Sequence, residues 1–354
     1  MNVLGIESSC DDTSVALLQC SEQGCFVLSE KTASQIEIHK KYGGVVPEIA
    51  GRMHAEKIVP LIEDIMKGQE RPDVIAVTNG PGLITGLIVG TEAARALSYA
   101  WDIPVVVANH LEGHICSVEI NDNTKIEYPA LALIVSGGHT ELIFMKEQGK
   151  YEIVGKTVDD AAGECFDKVA KLLELPYPGG PQISKLAETG SSSAIDFPRP
   201  MLRENNFNFS FSGLKTSALY WLRDNALALD KILPYNLPIG IYGQTPNPPT
   251  INDFCASFEQ AIVDVLVGKT IKAVDKYQLK TVILCGGVSA NNKLRAILSS
   301  ELGRIKPAPQ LLLPSLDYCM DNAAMIAMVG YYHAINKKFT SWENIVVDPN
   351  LKLT

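Results

Sequence analysis

The stretch LALIVSGGHTELIFM, Leu131 to Met145, decides the fold. Leu131 to Val135 is a short, wholly apolar run of the kind that forms a buried strand. Ser136 to Thr140 is a polar turn holding two glycines, and Glu141 to Met145 returns as a second strand. The chain opens on the same plan: Val3 to Ile6 as a strand, Ser8-Ser9-Cys10-Asp11-Asp12-Thr13 as a polar turn that also carries a threonine, and Ser14 to Gln19 as the returning strand. Working outward, short β-rich runs alternate with helical patterns, which predicts an α/β architecture. Pro47 to Met66 reads as a helix with Pro47 at its first position and a stripe of Ile49, Met53, Ile58, Leu61 and Ile65. Val74 to Thr78 is a strand broken by Asn79-Gly80-Pro81-Gly82. The next helix carries Gly86, Gly90 and Ala94 on one face, which suits close packing, and Pro104 to Ala108 is a further strand. In the second half, Thr281 to Leu284 is a strand that ends in Cys285-Gly286-Gly287 before another helix.

The repeat predicts two lobes, each opening with a hairpin whose turn faces a shared cleft. This resembles the two-lobed actin-like ATPase (ASKHA) fold, with duplicated mixed-sheet lobes. The expected division is an N-terminal lobe over 1–128, a C-terminal lobe over 129–335 and a tail over 336–354. Ile232 to Thr250 carries five prolines and little periodicity, and reads as an insertion or surface loop.

Bulk properties narrow the function. The 354 residues are 46% hydrophobic and 20% charged, with a formal net charge of −9. A broad basic surface for nucleic acid is therefore not expected, so any RNA contact must be local or shared with a partner. The longest apolar helical run, Ala323 to Tyr332, is too short to span a bilayer and reads as a buried helix. Met1 to Glu7 does not read as a signal peptide. The eight cysteines show no CxxC pairing, which fits a reducing compartment better than a disulfide framework and makes the cytoplasm the expected location.

Chemistry concentrates in a few places. His110 and His114 stand four residues apart in NHLEGHI, so on a helix they share a face and can bind one divalent ion if a third ligand arrives from elsewhere. Asp321 opens a helical run, where it suits an N-cap; it is also the plainest candidate for that third ligand, in a set that leaves positions open to substrate. Gly137 and Gly138 allow backbone N–H groups to approach a phosphate or carboxylate. Gly286 and Gly287 could pack on a flat base or expose a helix N-terminus. Asp11 and Asp12 would repel a triphosphate unless a metal intervened. They suit general acid–base work or substrate orientation, or an Asx-type turn satisfying its own backbone. Asp160, Glu164, Asp167 and Lys171 share a helical face, and the spacing alone favours a solvated surface, with ribose binding by Asp167 as the other reading.

Together, these segments resemble the tRNA adenosine threonylcarbamoyltransferase family, in its bacterial TsaD branch. The matching motifs are Gly5 to Thr13, His39 to Glu48, Gly80 to Leu83, His110 to His114, Val135 to Thr140, Asp159 to Asp167, Tyr177 to Pro181, Phe209 to Thr216, Gly286 to Asn291 and Asp321-Asn322. The resemblance implies transfer of a threonylcarbamoyl group from threonylcarbamoyl-AMP to the exocyclic N6 amine of the adenosine 3′ of the anticodon, in tRNAs reading codons that begin with A, with release of AMP. It implies that His110, His114 and Asp321 hold one divalent metal ion, iron(II) or zinc. It implies that Val135, Ser136, Gly137, Gly138 and His139, with Asp167, Gly180 and Asn291, bind the adenylate, and that Asp11 and Asp12 lie at the reacting centre. It also implies TsaB-like and TsaE-like accessory proteins. Two positions depart from the family pattern: Asp12 stands where glutamate is common, and Ser184 where aspartate is common. Lys40, Lys41, Arg199, Arg203 and Lys215 are the candidate RNA contacts, although each reads more readily as an ordinary surface charge. The rival readings are an ATP-dependent kinase of the same fold, which the Asp11–Asp12 pair disfavours; a metallopeptidase, which lacks the required glutamate beside the first histidine; and a nucleotide-dependent scaffold with a structural metal.

Overall fold

A computed structural model describes residues 1–121, 124–225 and 249–353. Its first sheet contains β1 (Asn2–Glu7), β2 (Asp12–Ser21), β3 (Gly24–Ser34), β4 (Val74–Gly80) and β5 (Val105–Asn109) in the order β3-β2-β1-β4-β5. The second contains β6 (Ala130–Val135), β7 (Thr140–Glu147), β8 (Lys150–Lys156), β9 (Thr281–Cys285) and β10 (Gln310–Leu312) in the order β10-β9-β6-β7-β8. The two orders are the same topology. In each, an antiparallel meander supplies three strands, and the central first strand then pairs in parallel with later ones. The duplicated α/β plan expected from the two hairpins is therefore the plan of the molecule. The third meander strands, β3 and β8, lacked a strong alternation in the sequence and were not anticipated.

The helices are α1 (Ile36–His39), α2 (Pro47–Met66), α3 (Ile84–Trp101), α4 (His110–Cys116), α5 (Ala162–Leu172), α6 (Gly179–Ala187), α7 (Ser212–Asn225), α8 (Ile251–Tyr277), α9 (Asn292–Arg304) and α10 (Ala323–Ile335). The helix expected over Pro47–Met66 has those bounds, although Ile49 and Met53 are only half buried. Its inner face runs instead through Ala50, His54, Ile58, Leu61, Ile62 and Ile65. This face and α3 cover one side of the first sheet. The small residues of α3 serve close packing: a Cβ on Gly86 would stand 2.2 Å from the Ser8 carbonyl oxygen, so the helix lies directly under the first turn.

The other side of the first sheet is covered by α10, which is buried on nearly every face. A Cβ on Gly5 would stand 2.2 Å from the Ala323 carbonyl oxygen. The sequence placed 323–335 at the end of the second lobe, whereas its side chains pack on β1, β2 and β4. The reason is that a helix apolar all round needs a sheet face to bury it, and the open face of the first sheet is the one it meets. Beyond α10 the chain continues along the first lobe: Thr340 N–H donates to Val105 O and Asp348 N–H donates to Asn79 O. Leu353 is then buried against α4 and the second sheet. Between the lobes, α4 presents Leu111 and Ile115 to Ala132, Ile134 and Ile283 of the second sheet.

One expectation is corrected. Cys20 and Cys25 form a disulfide, because the β2–β3 hairpin sets them directly opposite each other. The other six cysteines are free thiols. The Pro-rich stretch has residues 232–248 outside the described residues. Among the described residues, no helix is long and apolar enough to cross a membrane.

Candidate metal centre and adjoining cleft

Strand β5 runs straight into α4, whose first turn is capped by the Asn109 side chain accepting from Leu111 N–H at 2.9 Å. The i,i+4 spacing then sets His110 and His114 side by side and edge to face, with ring centroids 4.7 Å apart. The Asp321 carboxylate closes the group: its Oδ1 lies 3.5 Å from His110 Nε2 and 3.2 Å from His114 Nε2. The capping role that Asp321 was suited to is taken by Asn322, whose side chain accepts from Met325 N–H at 2.8 Å. That leaves the Asp321 carboxylate to face the imidazoles. Donor atoms bound about 2.1 Å from one tetrahedral ion lie about 3.4 Å apart; the two separations to Asp321 bracket that value, and all three donor atoms lie within 4.8 Å of one another. His114 is fully buried, and neither of its ring nitrogens has a hydrogen-bond partner. A buried imidazole facing a carboxylate and a second imidazole is a donor set that could hold a metal ion, and these residues fit one.

The residue that aims His110 was missed in the sequence. Glu7 is fully buried at the end of β1, with Oε2 3.0 Å from His110 Nδ1. It also accepts from Thr78 Oγ1 at 2.7 Å and from Ser9 N–H at 2.6 Å. A carboxylate only accepts, so Nδ1 carries the proton toward Glu7 and Nε2 is left to face Asp321. Burial alone would lower the His110 pKa, but the charges of Asp321 and Glu7 outweigh it and hold the imidazole at about 9. Burial opposes ionisation of Asp321 too, and the imidazoles beside it overcome that and pull its pKa well down. The only signal for Glu7 in the sequence was a charged residue at the end of an apolar strand.

The first turn is held from several sides. Gln35 N–H donates to Asp11 O at 3.1 Å. His54 Nε2 lies 3.1 Å from Cys10 O, and its Nδ1 lies 2.8 Å from Thr13 Oγ1. The carbonyl fixes the tautomer: Nε2–H donates, and Nδ1 accepts the threonine hydroxyl. Asp12 is 7% exposed, its Oδ1 has no hydrogen-bond partner, and its carboxylate is hydrogen-bonded to Ser34 of β3 rather than to its own turn. Burial foremost, then repulsion from Asp321, Asp11 and Glu7, pushes its carboxyl to about 7. Burial and Asp321 raise Asp11 in the same direction.

Beside this cluster opens a cleft of about 920 Å³. Of the eight residues expected to bind an adenylate, Gly137, Asp167, Gly180 and Asn291 line it. Asp167 Oδ1 accepts from Gly179 N–H at the start of α6, so it is not part of a solvated stripe. Asp160, on the same predicted face, is held by Lys168 and Lys215. Asn291 caps α9 through Leu294 N–H and donates to Ser184 Oγ at 2.9 Å and Glu259 Oε1 at 2.7 Å. Glu259, buried beneath the cleft on α8, was not anticipated. Among the remaining four, Val135 is buried inside β6, Ser136 Oγ accepts from His139 N–H within the turn, and Gly138 is exposed at its tip. Burial, then the His110 and His114 charges, lowers the His139 pKa to about 4. Cleft and cluster adjoin: Met320, next to Asp321 in the chain, lines the cleft, the Asp321 charge raises the Asp11 pKa, and the Asp11 charge in turn raises that of Asp167. Of the candidate RNA contacts, Arg199 pairs with Asp264 and Asp196, Lys215 with Asp160, and Lys40 with Glu37.

With that geometry described, its relatives are informative. A family profile described as "TsaD: tRNA N6-adenosine threonylcarbamoyltransferase" matches residues 26–328. The chain is 45% identical over 358 aligned residues to the tRNA N6-adenosine threonylcarbamoyltransferase of Bacillus subtilis (strain 168), covering 100% of this chain and 96% of that protein. It is 47% identical to the protein of the same name from Geotalea uraniireducens (strain Rf4), over 97% and 94% of the two chains. Among solved structures, full-length HypF in its phosphate- and nucleotide-bound form superposes with a TM-score of 0.58 at 12% identity, covering 94% of this chain and 46% of that one. T. kodakarensis HypF gives 0.57 at 13% identity, over 98% and 49%. These two likenesses, each to about half of a longer protein, concern the fold.

Proposed function

The chain belongs to the tRNA N6-adenosine threonylcarbamoyltransferase family, and from that premise we propose a division of labour among its residues. It is a tRNA-modifying transferase. The donor in this reading is threonylcarbamoyl-AMP, with its adenylate in the cleft lined by Gly137, Asp167, Gly180 and Asn291. The acceptor is the N6 amine of the adenosine 3′ of the anticodon, in tRNAs reading codons that begin with A. His110, His114 and Asp321 would hold one divalent ion, iron(II) or zinc. When bound, such an ion polarises a carbonyl and offsets negative charge there. Glu7 keeps His110 in the tautomer that presents Nε2.

An aromatic amine is a weak nucleophile because its lone pair is delocalised into the ring. Positioning and removal of its proton therefore set much of the rate. In this reading Asp11 and Asp12 orient the amine and take that proton, which the Asp12 carboxyl, pushed up to about 7, supports because a general base is effective there. The first lobe in this reading is 1–121 together with 323–353, and the second begins at 129. TsaB-like and TsaE-like proteins would share the grip on tRNA, which a chain of net charge −9 needs, and the cytoplasm is the compartment.

The observation that carries the reading is the adjacency of a three-ligand cluster, two partly or fully buried carboxylates and a roomy cleft. The test mixes the full chain with threonylcarbamoyl-AMP, such a tRNA and the accessory proteins, followed by nucleoside mass spectrometry. N6-threonylcarbamoyladenosine and AMP should form together, and a folded His110→Ala/His114→Ala double variant should form neither. Full modification by that variant would leave the metal as a structural element of a scaffold.

A further inference from the structure

Helix α4 has only seven residues, too few for its own hydrogen bonds to hold it. Its orientation must come from its surroundings. Leu111 and Ile115 face the second sheet, and Gly113 meets Met325 and Ile326 of α10. Such apolar contacts resist separation but tolerate sliding, because dispersion is not directional. At a side-chain radius of about 5–6 Å, a 10° rotation of the helix moves an outer atom by roughly 1 Å. A metal site tolerates ligand displacements of only about 0.2 Å. Glu7 holds His110 on one side of the helix and Asn109 caps its first turn; a directional contact on the opposite side must also fix the rotation.

Glu112 is placed to do so. It lies two residues from each histidine, so on a helix it projects from the side opposite both imidazoles. It is 6% exposed, and its Oε1 receives two bonds: Tyr151 O–H donates at 2.9 Å and His333 Nε2 lies 3.2 Å away. Facing a carboxylate, that Nε2 carries the proton. Tyr151 belongs to β8 of the second sheet, and His333 to α10, the helix that Asp321 precedes. One carboxylate oxygen thus joins α4 to both lobes. From this we infer that Glu112 is the positioning residue that sets the rotation of α4, and with it the aim of His110 and His114 at the ion. The inference rests on the metal reading above and names a residue that touches neither ion nor substrate.

The test uses Co²⁺ as the probe, titrated into chelator-treated full-length protein and followed by its visible absorption. Wild-type protein should take up one Co²⁺ per chain. Glu112→Ala should weaken uptake about 10- to 100-fold and change the absorption spectrum, the size of effect that outer partners of metal ligands have. Tyr151→Phe, which keeps the ring and its packing, should weaken it about 3- to 10-fold, whereas Glu112→Gln keeps an accepting oxygen and should stay within about threefold. Ile115→Val trims the apolar side of α4. It should lower the melting temperature yet leave Co²⁺ affinity unchanged. Unchanged affinity and spectrum in both Glu112→Ala and Tyr151→Phe would overturn the inference alone. No Co²⁺ uptake by the wild type would bring down the metal reading and the inference with it.

Discussion

The turn between β1 and β2 and the turn between β6 and β7 occupy matched places in two sheets of identical topology, yet they are built for opposite uses. The first is closed. Its backbone is held by Gln35 and His54, α3 packs on Ser8, and Asp12 is buried with an unpartnered oxygen. The second is open: Cβ atoms on Gly137 and Gly138 would meet nothing within 4 Å. Rigid burial raises carboxylate pKa values and prepares proton transfer. An open glycine turn leaves backbone N–H groups free for a ligand. Duplication supplied the frame, and the surroundings of each turn supplied its chemistry.

The comparison can be broken from either side. Asp11→Ala should cost transfer at least about 10³-fold, within the range of general acid–base catalysis, while AMP affinity measured by calorimetry moves less than about threefold. Equal loss of both would make the closed turn a binding element like the open one. Gly163→Val attacks the open turn, because a Cβ there would stand 2.5 Å from Ser136 O. Nucleotide affinity should fall about 10- to 100-fold, the cost of a misplacement near 1 Å, with Co²⁺ uptake unchanged. Gly90→Ala attacks the support of the closed turn, where the new Cβ would lie 2.3 Å from Ser8 Oγ. Urea unfolding should show a loss of about 1–3 kcal/mol, typical of overpacking.

Smaller effects sharpen the contrast. The Asp12 carboxyl at about 7 keeps its proton through a window in which the unfolded chain has lost its own. Between about pH 4 and pH 7 the metal-free folded state therefore binds more protons, and stability falls as pH rises. Asp12→Asn removes that slope. It should be more stable than the parent at pH 8 by on the order of 1 kcal/mol and gain nothing at pH 4, as denaturation across pH would show. Gly138→Ala, at the open tip, should change stability by less than about 0.5 kcal/mol.

Much of this was legible in order and period. The paired hairpins, the bounds of α2 and the i,i+4 histidines each follow from local rules that act within a few residues of chain. What local rules left open or did not show shares a cause. Asp321 was readable both as an N-cap and as the third ligand, and only the fold gave the cap to Asn322 and left Asp321 to the imidazoles. Asp167 suited a solvated face by spacing, but it sits at the start of α6 beside the cleft. Glu7, Glu112 and Glu259 look like stray charges in apolar runs until their distant partners, His110, His333 and Asn291, between 32 and 221 residues away, are in view. The same applies to α10, whose apolar surface says that it is buried but not against which sheet.

By itself the sequence determined that there are two lobes of one design, that two imidazoles share a helical face, and that each lobe opens with a polar turn. These are consequences of periodicity and of backbone sterics, which are local. Only the tertiary structure decided that the Asp321 carboxylate closes on those imidazoles, that α10 returns to the first sheet, and that one turn is sealed while its twin lies open. Such outcomes depend on which distant surfaces bury each other, and burial is a property of the whole chain.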